Sequence, residues 1–174
     1  MENQNSATKF MLKYGAFLAL STIIIGLLNY SFGNIYKPHW IINLLNFLLM
    51  VAFIVLAIKA FKDSNNGFLK FGEALKIGLG VALISTLINI IYFYVFVYVI
   101  EPDFMTRMSE FQQQMMYEKF PDMPEEQLEV ALEMNKKFST PLAISLLLIV
   151  WGLFIGLIVS LITGAVMKKE ESVL

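Results

Sequence analysis

The sequence predicts an all-α integral membrane protein, a four-helix bundle with an extracytoplasmic helical hairpin between spans three and four. Two observations predict this fold class. The composition is 57% hydrophobic with a mean hydropathy of +0.67, which is not typical of a soluble domain. Four uncharged segments are also longer than the roughly 18 residues that indicate a membrane-spanning helix. These segments are 14–36, 38–58, 77–100 and 138–167.

We therefore expect one membrane domain over residues 1–174, with spans at about 12–33, 39–61, 74–100 and 141–167. Helices are favoured over a β-barrel because the apolar runs are continuous rather than alternating. The first apolar run is longer than that of a signal peptide, and further spans follow it, so we expect the first span to be retained. Pro38 suits the first turn of the second span.

Lysines predict the orientation of the spans in the membrane. Of the 13 basic residues, eight lie at the span ends that would share one side of the bilayer. Tyr30, Tyr36, Trp40 and three tyrosines of span three lie toward the other side, as expected for an aromatic belt. By the positive-inside rule, both termini are cytoplasmic. The eight lysines are Lys9, Lys13, Lys59, Lys62, Lys70, Lys76, Lys168 and Lys169.

Residues 101–140 form the predicted hairpin outside the membrane. This segment holds nine carboxylates and four basic residues, a net charge of −5. Helical spacing of Phe104, Met108, Phe111 and Met115 predicts an amphipathic helix over 103–120. Asp122 is expected to cap a second helix, with Pro124 in its first turn. Leu128, Leu132 and Phe138 are expected to share the apolar face of that second helix.

Two strips of small residues predict how spans three and four pack. Small side chains at every fourth position let helix backbones approach closely in a membrane. Because the two spans are antiparallel, Ala74, Gly78 and Ala82 should face Gly164, Ser160 and Gly156 in that order. The full strips are Ala74, Gly78, Ala82 and Thr86 on span three, and Gly152, Gly156, Ser160 and Gly164 on span four.

Asn29, Asn43, Asn46 and Asn89 form a candidate polar cluster in the outer half of the membrane. One interpretation is a polar vestibule that admits a lipid headgroup or a small solute. The favoured interpretation is hydrogen bonding between helices, worth about 0.6–2 kcal/mol for each bond. No Asp, Glu, Lys, Arg or His lies within the core of any span, which disfavours a proton-coupled or ion-coupled transporter.

The entry to span three carries the most distinctive motif in the chain. It comprises Gly67, Phe68, Phe71, Gly72, Glu73 and Lys76. Glu73 lies near a helix N-terminus, where the helix dipole favours a carboxylate. Its expected partner is Lys70, Lys76 or the amine of a substrate, and a structural role is favoured over a functional one.

This motif, together with an isoleucine-rich span that ends in tyrosines, resembles the domain of unknown function 4199 family. The resemblance covers nearly the whole chain. It implies a four-span inner-membrane protein of Gram-negative bacteria with an acidic loop before the last span. The family has no established activity, so the resemblance implies no catalytic or binding residues.

The residue inventory favours a non-catalytic scaffold or accessory subunit of a membrane complex. The chain has no cysteine and a single histidine, His39, and we expect no enzyme activity, no metal site and no cofactor. The predicted partners are the lipid bilayer and a protein that binds the acidic hairpin 101–140. Nucleic acid is not expected, and a homo-oligomer is compatible with the pattern. The alternative function is a small transporter, channel or lipid-handling protein that works as an oligomer.

Overall fold

The computed structural model describes the backbone of residues 2–169 and the side chains of residues 7–169. Residue 1 and residues 170–174 of the predicted domain lie outside these described residues. Within them the chain forms six α-helices, one π-helical turn at Phe96–Ile100, and no β-strand. The α-helices are α1 (Glu2–Phe32), α2 (Trp40–Ser64), α3 (Phe71–Val95), α4 (Phe104–Lys119), α5 (Glu125–Phe138) and α6 (Pro141–Met167).

Among the described residues, four segments are long and apolar enough to cross a membrane: Ala7–Phe32, Trp40–Ser64, Phe71–Ile100 and Pro141–Met167. The predicted all-helical fold class is therefore confirmed, and each of the four predicted spans corresponds to a segment that could cross a membrane, as in a multi-pass membrane protein. By its contacts the chain divides into two compact units, one of residues 1–89 and 149–174 and one of residues 90–148.

Helix α1 begins about three turns before the predicted start of the first span. The predicted start was too late because the segment before Lys13 is polar overall, although it contains a narrow stripe of buried residues. Ala7 and Met11 are both buried, and Met11 lies directly against Gly80 of α3. Tertiary packing of this stripe explains why a polar segment continues the helix.

The core of the first unit is concentrated toward the lysine-bearing ends of its helices. Phe10 and Phe61 pack edge to face with their ring centroids 6.0 Å apart, which joins α1 to α2. Buried side chains of α2 and α3 continue the core, namely Ile54, Ala57, Ile58, Ala74, Ile77, Val81 and Ala82. In the described part of the chain, residues 23–50 include no buried residue. Burial in α1 and α2 is therefore confined to the lysine-bearing halves of these two helices.

The second unit holds α4 and α5, which contact each other. Phe96 and Phe104 pack edge to face at 5.3 Å between ring centroids. Arg107 forms ion pairs with Glu101 at 3.1 Å and with Asp103 at 3.7 Å. These contacts fix the start of α4 close to its predicted position.

The predicted cap of α5 is wrong. The residue at the N-cap is Pro124, with φ −56° and ψ 141°, and no side chain accepts a hydrogen bond there. Asp122 lies in the preceding turn. Glu125 and Glu126 occupy the first turn of α5, where the unpaired N–H groups of the helix stabilise negative charge. Charge therefore replaces the side-chain cap that the sequence pattern indicated.

Candidate functional site

Helices α3 and α6 meet through the two strips of small residues. A Cβ added to Gly156 would lie 2.6 Å from the Ala82 Cβ, and one added to Gly164 would lie 3.1 Å from the Ala74 Cβ. One added to Gly78 would collide with the Ser160 hydroxyl. Gly152 lies opposite Thr86 in the same way. The structure thus brings together the pairs that the spacing indicated, with no room between the backbones for a ligand.

The polar group within this contact is satisfied by its own helix. The Ser160 side chain is fully buried, and its hydroxyl donates to the Gly156 carbonyl at 2.5 Å. A hydroxyl bonded to the preceding turn needs no partner from another helix. The strip is therefore a packing surface, and the Ser160 hydroxyl is not free for chemistry.

The loop that enters α3 contains a left-handed turn. Asn66 has φ 53° and Gly67 has φ 80°, a region that glycine adopts without steric cost. The Gly67 N–H donates to the Lys62 carbonyl at 2.9 Å, which closes the C-terminal end of α2 in the usual left-handed manner. Nothing lies within 4 Å of a Cβ added to Gly67. Backbone conformation, rather than space for a ligand, explains this glycine.

Glu73 caps α3 instead of pairing with a lysine. Its carboxylate accepts a hydrogen bond from the backbone N–H of Lys70 at 2.9 Å. The Lys70 carbonyl accepts the N–H groups of Glu73 and Ala74 at 3.0 and 3.2 Å. This is the acidic half of a capping box. The expectation of an ion pair with Lys70 or Lys76 is wrong, because the carboxylate turns back to an amide that the helix leaves unpaired.

The same loop and the last turn of α2 are joined to the end of α6 by three hydrogen bonds, which we call the C-terminal clasp. Leu69 and Lys169 exchange two backbone hydrogen bonds of 2.8 and 2.9 Å, and Leu69 is fully buried. Lys62 donates from its Nζ to the Met167 carbonyl at 2.8 Å. The Lys169 ammonium also lies 5.7 Å from the centre of the Phe68 ring, within range of a cation–π interaction.

The rest of the entry motif packs or lies open. The Phe71 ring would lie 3.2 Å from a Cβ added to Gly164, so Phe71 covers the end of the small-residue contact. Gly72 has open space around it, and Lys76 is exposed. The motif therefore ties together the ends of α2, α3 and α6, and its residues form no enclosed site.

The four candidate asparagines occupy different environments. Asn89 accepts from the Thr22 hydroxyl at 3.1 Å and donates to the Ser85 carbonyl at 2.9 Å, which links α3 to α1. The Asn46 Oδ1 is buried and has no hydrogen-bond partner. Asn43 is exposed and Asn29 is partly buried. Among the described residues no hydrogen bond joins two of the four, so the structure does not gather them into one polar centre.

Helix α5 has three distinct faces, one buried, one acidic and one that is apolar and exposed. Leu128 is buried and marks the buried face. The acidic face comprises Glu125, Glu126, Glu129 and Glu133, all exposed. Phe138 is 59% exposed, so its predicted place beside Leu128 and Leu132 is wrong. Ten residues separate Phe138 from Leu128, which turns it about 80° away around a helix.

Comparison with known proteins identifies the family. Residues 13–169 match the family described as a protein of unknown function (DUF4199). The chain belongs to this family. No curated protein and no solved structure matches it.

Membership of the DUF4199 family confirms the resemblance that the entry motif carries. The family assigns no activity. The small-residue strips and the entry motif of this DUF4199 protein have structural roles, whereas the exposed faces of α5 have none. Sequence reasoning missed the exposed apolar face of α5, formed by Val130, Met134 and Phe138. The signal was present as a strict spacing of four residues.

Proposed function

We propose that this protein is a non-catalytic scaffold or accessory subunit of a complex in the bacterial inner membrane. In this proposal both termini are cytoplasmic, and α4 and α5 form an extracytoplasmic hairpin whose acidic face docks a basic protein partner. The acidic face of α5 is the observation that carries the proposal.

Three of its carboxylates oppose the stability of their own helix. Glu125, Glu129 and Glu133 follow one another at intervals of four residues, all exposed. Among the described residues none of them has an ion-pair partner. Like charges at this spacing destabilise a helix by about 0.2–0.5 kcal/mol for each pair. Only Glu125 gains from the helix dipole, because that effect fades beyond the first turn. A basic partner would relieve the repulsion and associate faster through electrostatic steering.

The test is neutralisation of this face with its shape retained. Glu125→Gln, Glu126→Gln and Glu129→Gln are combined in one full-length variant, which is purified from native membranes by affinity. We expect the co-purifying proteins to be lost while the thermal unfolding midpoint in detergent is unchanged.

A matched control neutralises two exposed carboxylates on α4 instead, with Glu110→Gln and Glu118→Gln combined. We expect this variant to keep the partners. Retention of the same partners by the α5 variant at the same salt concentration would refute docking on the acidic face. Equal loss from both variants would show that net charge, rather than α5, recruits the partner.

The second candidate is a small transporter, channel or lipid-handling protein that works as an oligomer. The observation that favours it is Asn46, whose buried carbonyl oxygen has no partner, in a part of the chain without buried residues. A solute or headgroup donor could bind that oxygen. On this alternative, Asn46→Leu abolishes uptake or lipid transfer in reconstituted vesicles, whereas a scaffold keeps its partners after the same change.

A further inference from the structure

We propose that the exposed apolar face of α5 binds the same face of a second copy of this chain. Val130, Met134 and Phe138 are 56%, 54% and 59% exposed, and they follow one another at intervals of four residues. Residues at this spacing form one continuous stripe on a helix. The stripe is centred on Met134, about 120° around the helix from the buried Leu128.

The charges beside the stripe identify the second copy as its occupant. Glu133 and Lys137 lie on the same flank of the stripe and are both exposed. Neither forms an ion pair among the described residues, although Glu followed by Lys four residues later is a favourable order. Both charges are therefore available to another molecule that carries their complement.

An antiparallel copy of α5 carries that complement. A two-fold axis near Met134 and perpendicular to the helix places this flank opposite the same flank of the second copy. Glu133 then faces Lys137 of the other helix, and the reverse pair forms by symmetry. Within the stripe, Met134 meets its own counterpart and Phe138 lies near Val130 of the other copy. Such self-complementarity defines an isologous contact, and flanking charges set helix orientation as they do in coiled coils.

Two other occupants fit the flank less well. A purely basic helix would bring positive charge against Lys137. A bilayer surface would bring Glu133 against anionic headgroups. The contact proposed here uses Glu133 of the acidic face and leaves Glu125, Glu126 and Glu129 free, so it goes beyond docking of a partner on that face and does not depend on it.

The absence of cysteine makes a symmetric cross-link a direct test. In the full-length protein in native membranes, Met134→Cys introduces a single thiol beside the axis, where it meets its own counterpart. Mild oxidation should convert this variant to a reductant-sensitive dimer several-fold more efficiently than Glu129→Cys, which lies about 140° away on the same helix. Equal cross-linking at the two positions would mean random collision. Absence of dimer at position 134 would mean that lipid or another protein covers the stripe. Either result overturns the proposal.

A charge exchange tests the antiparallel orientation separately from folding. Added to Met134→Cys, Lys137→Glu should lower dimer formation several-fold, because it replaces two attractive pairs with repulsive ones. Adding Glu133→Lys to that variant restores opposite charges across the axis and should restore the cross-link. If the exchanged variant stays as poorly cross-linked as Lys137→Glu alone, the two charges do not face each other and the proposal fails.

Discussion

At the scale of single residues, a polar side chain whose hydrogen bonds are all made within the protein has a structural explanation, whereas a buried one without a partner is a candidate for function. Asn89 is satisfied by groups on two helices, and its role as a link between α1 and α3 is complete. Asn46 has a buried carbonyl oxygen without a partner. A buried unsatisfied acceptor costs about 1–3 kcal/mol, so Asn46 lowers the stability of the chain in the absence of a ligand.

Replacement of Asn46 by leucine should therefore raise stability. Asn46→Leu removes the unsatisfied oxygen and nearly keeps the side-chain volume. We expect a higher thermal unfolding midpoint in detergent, equivalent to about 1 kcal/mol or more. Asn46→Asp keeps the volume but adds a charge, and it should lower the midpoint. A lower midpoint for Asn46→Leu would show that Asn46 is already satisfied by a bound lipid or water.

Substitutions of Glu73 distinguish a capping role for this side chain from a substrate-binding role. Glu73→Ala leaves the Lys70 N–H without its acceptor, and we expect a loss of about 0.5–2 kcal/mol in unfolding free energy, as for other helix caps. Glu73→Gln keeps an oxygen at the same position, so its thermal unfolding midpoint should stay close to that of the wild type. If the glutamine variant is as unstable as the alanine variant, the negative charge rather than the hydrogen bond stabilises the start of α3, which contradicts the cap as the explanation.

At the scale of the helices, α3 and α6 are fixed by how closely their backbones approach. Gly156→Ala adds a methyl group 2.6 Å from the Ala82 Cβ. We expect a destabilisation of about 1–3 kcal/mol, as for other overpacked contacts. The matched control is Gly26→Ala, because nothing lies within 4 Å of a Cβ added at that position. It should leave the thermal unfolding midpoint in detergent unchanged or raise it.

Equal effects of the two alanine substitutions would contradict close packing of α3 on α6. A substitution on another packed helix would not serve as this control: Ala19 of α1, for example, is completely buried. Substitution there by a larger residue should also be destabilising, so it cannot distinguish one packed surface from another.

Helix-level features were predictable where a short periodic pattern decides the outcome. The small-residue strips repeat every fourth residue, so spacing alone indicated which residues of α3 and α6 meet. The start of α1 was not predictable in this way, since Ala7 and Met11 form a narrow buried stripe among polar neighbours. The face of Phe138 was misassigned because an error of one position turns a helical residue by about 100°.

Polar partners were the least predictable part of the candidate site. Glu73 has lysines on both sides in the sequence, which favours an ion pair, yet it binds a backbone amide. Lys62 binds the carbonyl of Met167, a residue 105 positions away. No local pattern contains such a contact, because it depends on how two distant helix ends meet. Sequence reasoning therefore reached the spans and their packing but not the capping hydrogen bonds.

At the scale of the whole molecule, the lysine-bearing helix ends of the first unit lie together. The C-terminal clasp joins the loop before α3 to the end of α6, and Lys62 and Lys169 both take part in it. Phe10 on Phe61 brings the lysine-bearing start of α1 to the same end. Lysine-rich ends of membrane helices are retained in the cytoplasm. This arrangement supports the proposed orientation.

Single cysteines in the cysteine-free chain test that orientation directly. Ser64→Cys lies at the end of α2 and Gln113→Cys on α4, and both positions are exposed. In intact bacterial spheroplasts a membrane-impermeant maleimide should label position 113 and should label position 64 only after permeabilisation, because charged reagents do not cross the hydrocarbon core. The reverse pattern would place α4 and α5 in the cytoplasm. Any partner of the acidic face would then be cytoplasmic, and the extracytoplasmic scaffold proposed above would be wrong.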